Sequence, residues 1–198
     1  MPLWGATDAD ESKPKNLTTA QKKQVFANAS GWVLEAGSAL SGNDNTDADP
    51  EVLVAIGELS TSIGAADITE VEMVTTTADK SEGFTISVRV RYNEPVDVVT
   101  TGGTPTLAVT NDNSGTGSGR GPHSLSYASG TGTNELIFSL AIAAANAATN
   151  ADDVLSVGAQ TIALNSGTIK DASGTASDAA LVISGAVGTA AGTVTVTA

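Results

Sequence analysis

The chain has 198 residues, 40% of them hydrophobic and 16% charged, which supplies a packed core and argues against wholesale disorder. Its formal charge of −13 repels a phosphate backbone and disfavours nucleic-acid binding. With no cysteine, disulfides, thiolate metal sites and thiol nucleophiles are excluded together, and the single His123 leaves a Ser-His-Asp triad one candidate base. A structural or binding role is therefore expected over catalysis. At about 150 residues per domain, the length gives one domain plus a smaller appendage. Few aromatics, 21 glycines and abundant Thr, Ser, Val and Ala suit short strands and tight turns.

Taken in chain order, residues 1–16 carry Pro2 and Pro14, lack periodicity and read as an extended arm. They have neither the basic start nor the apolar run of a secretory signal. No stretch reaches the roughly 20 apolar residues of a membrane helix. Thr18-x-x-Gln21 is a capping box ahead of Val25 and Phe26, and predicts a short helix over about 19–27. Gly31–Glu35 and Val52–Ile56 read as the two strands of a hairpin across a polar loop from Ser41 to Pro50. Two strands alone are marginal in water, so this segment needs a neighbour. The small-residue stretch from Ser60 to Ala66 reads as a linker, dividing the chain into 1–66 and 67–198.

The second part is a series of short strands with turn signals between them, the pattern of an all-β sandwich. Phe84, Ile86, Val88, Val90 and Tyr92 alternate strictly with Thr85, Ser87, Arg89 and Arg91, and Leu136, Phe138, Leu140 and Ile142 repeat the period. These apolar residues are the expected core. Shorter strands are predicted at Ile68–Thr75, Val96–Val99, Thr106–Thr110, Ser124–Ser129, Val154–Val157, Thr161–Leu164, Ala180–Ile183 and Val194–Thr197. Turns are predicted at Gly102-Gly103, across Asn111 to Gly121, from Gly130 to Asn134 and at Gly174.

Four stretches within about 67–184 resemble a bacterial Ig-like repeat. They are Asn93-Glu94-Pro95-Val96 with Gly103-Thr104-Pro105-Thr106-Leu107, then Tyr127-Ala128-Ser129-Gly130-Thr131-Gly132-Thr133-Asn134, then Asp152-Asp153-Val154, then Gly167-Thr168-Ile169-Lys170-Asp171. The resemblance implies an Ig-like β-sandwich over 67–198. The first part is similar to small virion proteins of contractile-tailed marine phages infecting cyanobacteria. That likeness rests on Met1-Pro2-Leu3-Trp4-Gly5, Gly31-Trp32-Val33-Leu34 and Glu51-Val52-Leu53-Val54-Ala55-Ile56. Together the two imply a non-enzymatic virion structural protein, a capsid decoration protein in which 1–66 anchors an outward Ig-like domain. The implied partners are other virion proteins, the major capsid protein first, with assembly in the host cytoplasm and no membrane. The alternative is a tail- or surface-associated adhesion protein whose loops bind host cell-surface glycans.

Few residues offer chemistry. Asp44, Asp47 and Asp49 space oxygen ligands as calcium requires, but the loop lacks the sixth-position Gly and distal Glu of an EF-hand, and a solvated acidic loop is the favoured reading. Asp152 and Asp153 sit in a turn, where local hydrogen bonding explains them as readily as calcium. No cofactor is therefore assigned, with calcium the one candidate. His123 follows Gly121-Pro122 and reads as an exposed loop histidine. The alternating glycines 115 to 121 lack the strand-to-helix context and Lys-Ser/Thr pair of a phosphate cradle, so they read as a flexible loop. Lys13, Lys15, Lys22 and Lys23 form the one basic cluster, either a solvated face or a dock for an acidic neighbour. Trp4 and Trp32 either pack on each other or on the small local core, or are buried against a partner; Trp4, near the start of an arm, has little of its own chain to cover it, and aromatic anchors are typical of interface cores, so the partner is favoured. Leu3, Trp4, Lys13, Lys15 and Trp32 are accordingly the expected partner-interface residues.

Overall fold

The computed structural model describes residues 17–22, 24–28, 31–42, 44–46, 51–55, 66–113, 122–172 and 177–198. The structure is mostly β, with 53% of the described residues in strands. The capping box forms as predicted. The Thr18 amide donates to Gln21 Oε1 at 2.9 Å, and the Gln21 amide to Thr18 Oγ1 at 3.3 Å. Helix α1 (Thr19–Lys22) stops after one turn, however, and Val25–Asn28 is strand β1 rather than the rest of a helix. The β-branched Val25 gains more in the strand, where it pairs with Leu34 of β2 (Gly31–Leu34) and is buried. β2 also pairs with β3 (Glu51–Ala55), so the expected hairpin is the larger part of a three-stranded sheet ordered β1-β2-β3.

The main sheet is organised around β6 (Phe84–Val99), whose length merges two predicted strands into one. β4 (Ile68–Met73) and β12 (Thr168–Asp171) pair with successive stretches of β6, and β9 (Thr133–Ile142) lies against its other side. From β9 the order runs through β8 (His123–Ser129), β7 (Thr106–Asn113), β10 (Asp153–Ser156) and β14 (Thr193–Thr197) to β5 (Ala78–Asp79). All pairs are antiparallel except β14 with β5, and the mixed sheet curls strongly into a half-barrel. The all-β class is as expected, but the strands form one hydrogen-bonded sheet instead of two stacked layers. The β7–β8 pairing, Thr106–Val109 against His123–Ser126, makes the sheet continuous. β4 and β5 lie at opposite ends of the strand order yet are joined by residues 74–77 alone, so this short segment bridges the two margins of the curl. A two-stranded pair, β11 (Gln160–Thr161) with β13 (Val182–Ile183), and helix α2 (Gly185–Ala190), capped by Ser184, complete the described structure.

The core lies inside the curl. Ile86, Val88, Val90 and Tyr92 of β6 are fully buried there with Leu136 and Phe138 of β9, while Phe84 and Leu140 are half-buried against them. The Tyr92 hydroxyl donates to the Ala180 carbonyl at 3.1 Å. Ala66, placed by the sequence at the end of the first part, is buried in this core, and its carbonyl accepts from the Ala180 amide at 2.7 Å.

Candidate functional site

The small sheet has its own apolar cluster. Strand alternation puts Trp32 and Leu34 on one face of β2, where they are buried with Val25 and packed by Leu17, Leu40 and Val54. Trp32, expected at a partner interface, is thus fully buried within the chain's own fold. Leu3, Trp4, Lys13 and Lys15 lie outside the described residues, as do Asp47 and Asp49.

β3 is the margin of the small sheet among the described residues, and it exposes Val52 and Leu53. A register shift between Trp32 and Val33 pairs Val54 with Trp32 and Val52 with Val33, leaving Leu53 as the extra residue of a β-bulge. The bulge turns Leu53 outward beside Val52 and interrupts the regular ladder. The signal was present in the sequence: the unbroken apolar run Val52-Leu53-Val54 cannot hide every member on one face of a strand.

Where the small sheet meets the main one, an ionic cluster joins them. β6 alternation points Arg89 and Arg91 away from the core, and antiparallel register sets Glu70 of β4 and Glu135 of β9 on either side of Arg91. Arg91 Nη1 donates to Glu70 Oε2 at 3.1 Å and Nε to Glu135 Oε1 at 2.7 Å. Arg89 pairs with Glu72 and reaches Glu135 Oε2 at 3.4 Å. Glu35, just past β2, comes across to Arg91 Nη2 at 3.2 Å. The result is a nearly buried arginine, its side chain only 6% exposed, on the face that alternation marks as solvated. Burial pushes the Glu35 carboxyl above the usual carboxylate range; the Arg91 charge opposes this shift and the Glu135 charge reinforces it.

A second polar group closes one end of the main sheet. His123 begins β8 and is buried, correcting the expectation of an exposed loop histidine. Its Nε2 lies 3.0 Å from Thr149 Oγ1 and 3.4 Å from Asn111 Nδ2, and Asn111 also donates to the Ala148 carbonyl. Burial pushes the imidazole pKa down, partly offset by the Asp153 charge. Asp153 is buried and its Oδ2 accepts from the Asn150 amide at 2.7 Å, whereas Asp152 is exposed at a φ of +68°. Asp153 thus fixes the turn, while Asp152 stands at an exposed position. Asp44 is also exposed. Among the described residues no three His, Cys, Asp or Glu side chains are grouped to hold a metal ion.

Comparison of the chain with protein-family models, with curated proteins and with solved structures gives no match. The functional reading therefore rests on the chain's own residues.

Proposed function

We propose that this chain is a non-enzymatic structural protein of a phage particle, a capsid decoration protein that attaches through its first part and displays an Ig-like domain. The Ig-like reading is supported by strand order. Cut between β8 and β7, the main sheet divides into β4-β6-β9-β8 and β7-β10-β14 with β5 alongside. With β12 set aside beside β6 and the remaining strands lettered A to G along the chain, these two runs follow the ABED and CFG orders of an immunoglobulin sandwich. β5 is then the continuation of strand A that crosses to pair in parallel with G.

The observation that carries the attachment reading is the exposed pair Val52 and Leu53, on a margin strand of a small sheet with its own apolar cluster. Exposed apolar side chains presented on a strand are suited to seat in a partner's pocket. The bulge favours side-chain anchoring over addition of a continuous partner strand. Glycan adhesion by stacking is less well supported, because every described aromatic ring is at least half-buried. The test is occupancy on virions of the phage that encodes the chain, with its position read by cryo-electron microscopy. Wild type should occupy the head surface, and Val52→Lys/Leu53→Lys should fold normally yet fall at least tenfold in copy number. Full occupancy by the double variant would reject the attachment site, and absence of the wild-type chain from particles would reject the function.

A further inference from the structure

We propose that the polar end of the main sheet binds an alkali-metal cation, held between Asp153 of β10 and Asn111 of β7. Register sets three polar side chains in one row on the core side of the sheet. His123 pairs with Val109, two residues before Asn111, and Asn111 pairs with Leu155, two residues after Asp153. Asn111 therefore has His123 diagonally on one flank and Asp153 diagonally on the other, a separation that side chains can span. Thr149 joins them from the turn before β10, and none of the four is more than 6% exposed.

Hydrogen bonding uses only one side of the Asn111 amide. Its Nδ2 donates to the Ala148 carbonyl and lies 3.4 Å from His123 Nε2, so the nitrogen is turned towards β8. Oδ1, the other arm of the same planar group, is left to the β10 flank, buried and with no hydrogen-bond partner. Asp153 repeats this division. Its Oδ2 accepts from the Asn150 amide at 2.7 Å, while its Oδ1 is buried with no partner. Two unpartnered buried oxygens thus stand in the same row on neighbouring strands.

Charge decides what they take. An amide nitrogen can only donate, so His123 Nε2 is an acceptor and the imidazole is neutral. The Thr149 hydroxyl, 3.0 Å away, donates to the same nitrogen. Neither oxygen of Asp153 meets a Lys or Arg among the described residues, and Lys80 gives its Nζ to the Asn146 carbonyl. A buried carboxylate in this position requires a counter-charge, which a water molecule does not bring. The atoms around it are hard oxygen donors, since Thr149 Oγ1 and the Ala148 carbonyl keep lone pairs beside the two unpartnered oxygens. One carboxylate balances one positive charge. A divalent ion would leave net charge buried, and calcium affinity rises with the number of charged ligands, so the site favours a monovalent ion over calcium.

The experiment is thermal unfolding of the full chain in sodium, potassium and choline chlorides at equal ionic strength. Sodium or potassium should raise the melting temperature by about 3 °C over choline, the shift given by an ion at about ten times its dissociation constant. Asp153→Asn keeps an acceptor for the Asn150 amide but removes the charge, and should erase the difference. Independently of any variant, crystals of the wild-type chain grown with thallium(I), which replaces alkali ions, should show an anomalous peak beside Asp153 Oδ1. Equal melting temperatures in the three salts, or no thallium beside Asp153, would overturn the site and leave an internal water only. A salt difference retained in Asp153→Asn would put the ion elsewhere and overturn it too. All these measurements use the free chain, so their failure would leave the attachment reading untouched.

Discussion

Replacing Trp32 by Ala separates the stability of the small sheet from that of the main one. Trp32 is the largest side chain of a cluster whose other fully buried members are Val25 and Leu34. Fully burying an apolar side chain contributes about 1.5–3 kcal/mol, so the three contribute about 5–9 kcal/mol before any ordering cost. Fixing each backbone residue costs about 1–2 kcal/mol, which leaves little net stability in strands this short. Truncating a buried Trp to Ala removes about 3–5 kcal/mol, more than the small sheet can lose and remain formed. The core of the main sheet is a separate cluster that does not include Trp32. Hydrogen exchange on Trp32→Ala should thus show residues 25–34 and 51–55 losing most protection. The main sheet should lose only the cover over Arg91, on the order of 1 kcal/mol, and its melting temperature should fall by about 2–4 °C. Trp32→Phe should largely retain the small sheet, because the buried indole Nε1 has no hydrogen-bond partner to lose. Retained protection in Trp32→Ala, or a main-sheet melting temperature lowered by more than 10 °C, would refute the division into two cores.

Phe138→Ala should cost about 3–5 kcal/mol in urea unfolding, since the ring is fully buried and meets Tyr127 edge-on at 6.1 Å; a loss under about 1 kcal/mol would contradict its place in the core. Gly130→Ala should destabilise more than Gly132→Ala. Both have positive φ, but a Cβ at Gly130 would sit 1.9 Å from the Glu135 carbonyl oxygen while one at Gly132 meets nothing within 4 Å. The first must move backbone, whereas the second carries only the conformational penalty of about 1–2 kcal/mol. His123, whose pKa is lowered on folding, contributes stability that is present above about 6.5 and lost as pH falls. The urea midpoint should therefore drop between pH 7 and pH 5, and drop less in His123→Gln; identical profiles would exclude the buried neutral imidazole. EDTA and millimolar calcium should both leave the melting temperature unchanged, because Asp153 Oδ2 is taken up by the Asn150 amide and no three candidate ligands are grouped among the described residues; a calcium-dependent rise of several degrees would make Asp152 and Asp153 ligands.

Period-two patterning made the core legible before the structure was known. Phe84 to Tyr92 and Leu136 to Ile142 alternate over enough residues for one face to be unambiguous, and the buried residues follow that face. Short elements carried too little pattern. Val25–Asn28 follows a genuine capping box, so local signals favoured a helix, and only pairing with Gly31–Leu34 makes it a strand. Ala78–Asp79 is strand only because β14 lies beside it. The ionic site was hidden for a different reason. Arg91 occupies an outward position and reads as solvated, yet Glu35, distant in sequence, covers it. Likewise His123 follows a glycine-rich stretch that suggests a loop, but its partners Asn111 and Thr149 arrive from β7 and the turn before β10. Contacts of this kind depend on sheet order, which no local window of residues encodes.

The parallel pairing of β5 with β14 gives the main sheet a direction in which it resists force. β5 is entered from β4, on the side of the chain that leads back to the small sheet, and the chain leaves β14 at Thr197. Val196 pairs with Ala78 and Thr197 with Asp79, and the Lys80 amide donates to the Thr197 carbonyl at 3.0 Å. Tension applied before β4 and after β14 pulls β5 and β14 past each other along their own axes. Their hydrogen bonds are then loaded side by side in shear and must break together. An antiparallel terminal pair, drawn apart from one end, would instead open one bond at a time like a zip. A pull from the side of the small sheet reaches β4 first, at the other margin of the curl, so the β4–β6 pairing and the β5–β14 pairing lie in series along the load, joined by residues 74–77.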